Sequence, residues 1–122
     1  MNTDIDELEI IYKKIFQISV QITELIDRKI YSELITFINK KKLLYNDADI
    51  LVQKVKTKGL DTSPLHDICQ KIYNQEQANI VALNQIKEDV RQELTKTSAN
   101  TKILNAYLKN DSPKGNILDF IE

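Results

Sequence analysis

His66 and Cys69 stand one helical turn apart and are the only histidine and the only cysteine in the chain. That spacing could set two metal ligands, or a thiol and its base, on one helix face. Two ligands do not make a zinc site, and no second His or Cys exists to extend the pair. Cysteine–histidine catalysis would also need both groups converging in a pocket beside an oxyanion hole, which one regular helix surface does not build. The pair therefore reads as a partly exposed histidine and a buried thiol. Adjacent carboxylates such as Glu88 and Asp89 diverge from a helix and decorate its surface. Gly59 and Gly115 stand alone, so no glycine-rich loop is present to cradle a phosphate. The expectation is a non-enzymatic protein without metal or cofactor, whose function is binding.

The elements that would carry such a function are helical. With two Gly and two Pro in 122 residues, the chain lacks the turn-formers that a sheet protein needs. The dominant stretch is 63–109, which opens Ser63-Pro64-Leu65-His66-Asp67 with a cap residue, Pro at the first helical position and an early acid. No Gly or Pro interrupts it, and apolar residues recur at Leu65, Ile68, Ile72, then Leu83, Ile86, Val90, Leu94, Leu104 and Leu108. A continuous helix here would span about 65–70 Å, roughly twice either helix before it. The run Thr95-Lys96-Thr97-Ser98-Ala99-Asn100-Thr101 favours caps over helix interiors, so a break there, with a short helix over 102–109, is the alternative.

The first helix is expected to begin near Thr3 or Asp4, with Asp6, Glu7 and Glu9 at the positive end of its dipole. Leu8, Ile11, Ile15, Ile18, Ile22 and Leu25 form a strict seam, widened by Ile5, Tyr12, Phe16, Val20 and Ile26, which predicts a central helix with two neighbours. A break over Asp27–Ser32 carries neither Gly nor Pro, and Ser32 is the expected cap of a second helix. That helix runs from Glu33 to about Lys56, with Leu34, Ile38, Tyr45, Ala48, Val52 and Val55 inward. Lys40-Lys41-Lys42 reads as a solvated face, with a docking patch for an acidic partner as the other option. Gly59 is placed to end the second helix in the left-handed conformation, and the short loop makes the second and third helices antiparallel neighbours. The fold expected is an all-α, elongated, antiparallel three- to four-helix bundle over 1–109, followed by a tail over 110–122.

Charge and composition narrow the partners. Charged residues make up 29% of the chain but the net charge is −1, so nothing steers it to nucleic acid. The acidic start does not resemble a signal peptide, no apolar run approaches a membrane span, and the single cysteine suits a reducing compartment. A cytoplasmic protein without membrane insertion is expected. An amphipathic helix could be accepted along Ile72, Ile80, Leu83, Ile86, Val90 and Leu94, though the same row would serve as plain core. Beyond the turn-rich 110–116, the apolar Ile117, Leu118, Phe120 and Ile121 either dock on the bundle or are held for a partner.

The layout resembles the flagellar export chaperones of the FliT type and, more distantly, the FlgN type. The likeness rests on Asp27-Arg28-Lys29-Ile30-Tyr31-Ser32-Glu33-Leu34-Ile35, on Lys102-Ile103-Leu104-Asn105-Ala106-Tyr107, and on Gly115-Asn116-Ile117-Leu118-Asp119. Where relatives often carry Arg in the second helix, this chain has Lys40-Lys41-Lys42. The resemblance implies a chaperone without enzymatic activity. Its client would be a filament-cap or hook–filament junction protein, whose C-terminal segment folds into the groove. It implies docking of Tyr107 on the export gate; a simple anchor for the last helix is the other reading of that residue. The tail residues Ile117, Leu118, Phe120 and Ile121 would then be autoinhibitory and leave before a client enters. A self-associating coiled-coil or spectrin-like module, dimerising through the seam of the first helix, is the alternative function.

Overall fold

The computed structural model describes residues 3–92 and 115–121. Its long elements are α1 (Thr3–Asp27), α2 (Leu34–Lys58) and α3 (His66–Gln92), with a short α4 (Gly115–Ile121) and single 3-10 turns at Tyr31–Glu33 and Ser63–Leu65. No strand occurs among the described residues. The chain is an all-α helical bundle running up, down and up. Whether α3 continues toward residue 109, and the expected break over 95–101, lie outside the described residues.

α1 is the centre. It packs closely along both α2 and α3, while α2 and α3 keep their backbones apart and meet through long side chains. The buried line of α1 runs Ile5, Leu8, Tyr12, Ile15, Ser19, Ile22 and Ile26, with Leu25 beside it. The expected seam is thus rotated slightly: Tyr12 is in the core, whereas Ile11 and Ile18 are half-buried on its flank. A helix wedged between two neighbours faces the line between them, not either one alone. Lys58 closes the end of the bundle by reaching Asp4 at 2.6 Å.

The helix ends follow backbone chemistry. Gly59 sits at φ 63° and ψ 36°, and the Gly59 and Leu60 amides donate to the carbonyls of Lys56 and Val55, which closes α2 in a Schellman motif. α1 ends the same way with a lysine: Lys29 has φ 59°, and the Lys29 and Ile30 amides donate to Ile26 and Leu25. The break that no Gly or Pro announced is therefore a left-handed cap adopted by a residue that pays a steric cost there. Two expected caps are replaced. Ser32 lies inside a 3-10 turn and makes no capping bond to α2. Ser63 is itself held, its amide and hydroxyl donating to the Asp61 carboxylate at 3.1 and 3.0 Å, which keeps Asp61 below the usual carboxylate range.

Candidate helix-binding groove

The bundle has two apolar clusters. One joins the start of α1, the end of α2 and the start of α3, through Leu8, Tyr12, Ile15, Val52, Val55, Leu65 and Ile72. The other joins the end of α1, the start of α2 and the later part of α3, through Ile22, Ile26, Leu34, Ile38 and Leu83. Between them the three helices contribute polar residues to the same inward lines. Lys41 is only 1% exposed, and its Nζ donates to both Glu76 carboxylate oxygens at 3.1 and 2.9 Å. Ser19 Oγ also donates to Glu76. Asn79 Nδ2 donates to the Ser19 carbonyl at 3.0 Å, Thr23 Oγ1 meets Asn79 Oδ1 at 2.5 Å, and Gln75 donates to Thr23.

Lys41 therefore corrects the reading of a solvated lysine run. Its neighbours Lys40 and Lys42 are exposed, Lys40 lying 5.0 Å over the Phe37 ring. The signal was present in the spacing. The inward line of α2 steps 34, 38, 41, 45, 48, 52, 55, and that of α3 steps 65, 68, 72, 76, 79, 83. A lysine, a glutamate and an asparagine occupy positions whose register is apolar on either side. A buried charge on such a line needs a partner of opposite sign, and here each supplies the other's.

α4 fills the first cluster from outside. Ile117 and Phe120 are buried in it and Ile121 packs against it, while Leu118 is half-buried. The Phe120 ring meets Tyr12 edge-on at 6.3 Å between centroids. α4 lies mainly on α3, but its polar residues reach α2: Asn116 Nδ2 donates to Asp49 at 2.8 Å and Lys56 Nζ to Asp119 at 3.4 Å. The seat is thus the groove left where α2 and α3 stand apart over α1.

The row expected to receive a partner does not form one strip. Ile72 is buried in the cluster that α4 completes, whereas Leu83 is fully buried in the other cluster with Ile80 and Ile86 half-buried beside it. The Glu76–Asn79 layer separates them. An aspartate at Leu83 would strike the core of the bundle, not an open groove. Val90 lies in α3 with its side chain undescribed, and Leu94 and Tyr107 lie outside the described residues.

The residues first considered for chemistry are apart. His66 is exposed, with Nδ1 3.3 Å from Asp67. Cys69 is fully buried in the first cluster, and desolvation pushes its thiol up to about 12. Burial also raises the Tyr12 phenol well above its ordinary value, helped by Cys69 and Asp49. Among the described residues no group of three potential metal ligands gathers, and no helix is long and apolar enough to cross a membrane. No family model, curated protein or solved structure matches the chain.

Proposed function

We propose that this protein binds an amphipathic helix of a partner in the groove that α4 occupies, and that α4 is the competitor a partner must displace. The observation that carries this reading is the seating of Ile117 and Phe120 in one apolar cluster with residues of α1, α2 and α3. A groove that buries an Ile and a Phe from one short helix has the shape and chemistry to bury them from another. Together with the resemblance set out above, this supports a cytoplasmic flagellar type III export chaperone. Its client is the C-terminal helical segment of a filament-cap or hook–filament junction protein, kept from premature assembly and delivered to the export apparatus. The test is a pull-down from a flagellated host with the full-length protein as bait. Recovery of such a subunit, lost when the subunit's C-terminal segment is removed, is the expected result; recovery of the bait alone would contradict it.

A second reading is self-association. The seam of α1 is unavailable for it, because Leu8, Ile15 and Ile22 are buried against α2 and α3 of the same chain. Among the described residues, the outer face of α2 offers one candidate, with Leu43 and Ile50 two turns apart and 64% and 61% exposed. Helix melting that shifts with protein concentration would favour this reading.

A further inference from the structure

The polar contacts of α4 say more than its apolar ones. Asp49 and Lys56 lie seven residues apart on α2, two turns along one face. They place a negative group at one point of the groove edge and a positive group at another. α4 answers each with a matching side chain: the Asn116 amide donates to Asp49 at 2.8 Å and the Asp119 carboxylate accepts from Lys56 at 3.4 Å. Between and beyond them Ile117 and Phe120 enter the core.

Resting on the reading that α4 stands in for a partner, we propose that this groove selects its partner helix by a two-point polar code that also fixes the helix direction. The partner carries a donor over Asp49, an acid one turn later over Lys56, and apolar residues at the places of Ile117 and Phe120. A helix inserted the other way would set its acid against Asp49 and its donor against Lys56, so both contacts would turn repulsive or be lost. The code also leaves a partner room to exceed the tail. Asn116 offers Asp49 a neutral amide donor, whereas a Lys or Arg at that position offers a donor that also carries the opposite charge. The tail is the weaker ligand at one of the two points.

Both contacts are solvent-exposed, so each changes affinity by a small factor, about two- to fivefold. The experiment uses the full-length protein with the seat vacated by Ile117→Asp and Phe120→Asp. Labelled peptides of sequence 111–122 are titrated onto it by fluorescence anisotropy. The unaltered peptide is expected to bind. An Asn116→Lys peptide should bind about threefold tighter and an Asp119→Lys peptide about threefold weaker. In a vacated protein that also carries Lys56→Glu, the Asp119→Lys peptide should become the better ligand of the unaltered and Asp119→Lys pair. Equal affinities across the peptides, with no reversal by Lys56→Glu, would overturn the code and leave the groove as an apolar helix site. No binding of any peptide to a folded protein whose Cys69 reacts readily would overturn the groove as a partner site, and the code with it.

Discussion

The two ends of the bundle use the same three helices in different ways. At the end built from Tyr12, Val52, Val55, Cys69 and Ile72, the space between α2 and α3 is filled by a fourth helix from far along the chain. At the other end, Ile22, Leu34, Ile38 and Leu83 close on one another, with Ile80, Ile86, Phe37 and Tyr31 half-buried around them. The Lys41–Glu76 layer lies between. An apolar core of Ile and Leu can slip by a turn with little loss, whereas a buried ion pair matched to Ser19 and Asn79 is satisfied in one register only. On the proposal that α4 yields to a partner, the first end exchanges its fourth helix while the layer and the second end hold α1, α2 and α3 in place.

The largest test of that division is at the layer. Lys41→Met leaves the Glu76 carboxylate without its cation in the core and should cost about 3–5 kcal/mol in urea unfolding. Replacing both, Lys41→Met with Glu76→Leu, should recover most of the loss or exceed the parent. A single variant within about 0.5 kcal/mol of the parent would show that water, not the pair, satisfies the layer.

Leu83→Ala and Phe120→Ala sharpen the contrast between the ends. Leu83→Ala should cost about 2–5 kcal/mol of global stability, because Leu83 is fully buried in a cluster shared by α1, α2 and α3. Phe120→Ala removes a comparable apolar group, but the bundle loses no more than the free energy of docking α4. Its effect should appear as faster modification of Cys69 by a thiol reagent, with the helical content of the bundle unchanged. Equal effects on global unfolding would merge the two ends into one cooperative core.

Alkaline pH acts on the first end through Cys69 and Tyr12, whose protonated forms burial favours. Cys69 has its folded value raised to about 12 from an ordinary 9.0, so between those values the unfolded chain releases a proton that the folded chain retains. Stability should be fully present below about pH 9 and fall as pH rises toward 12. Cys69→Ala should make that decline shallower, the share from the raised Tyr12 phenol remaining, and an unchanged slope would place its origin elsewhere. The smallest effect is at the α1 cap, where Lys29→Gly relieves the left-handed backbone and should stabilise by about 0.5–1 kcal/mol in thermal melting.

Much of the architecture was legible because helices announce themselves by period. The Leu8–Ile15–Ile22 spacing predicted a central helix, and Gly59 marked the end of α2. The break after α1 was expected over Asp27–Ser32, but the way it is made was hidden, because a lysine takes the left-handed position usually given to glycine. The polar layer was hidden for a different reason: a lysine in a run of three reads as surface unless the 3-4 stepping of its helix is followed through it. Ile72 and Leu83 were read as one strip along α3, and the interruption at Glu76 and Asn79 became visible only with the three helices in register. That the tail docks near Tyr12 depends on where α2 and α3 stand apart, a property of three helices together.

The central claim is that α4 and a partner helix compete for one groove. Its most direct test is the affinity of the C-terminal segment of a filament-cap or hook-junction protein for the full-length chain and for a chain lacking residues 111–122, measured by titration calorimetry. Binding is expected to be tighter after the deletion, since the partner no longer has to displace Ile117 and Phe120. Unchanged or weaker binding by a folded deletion variant would contradict it.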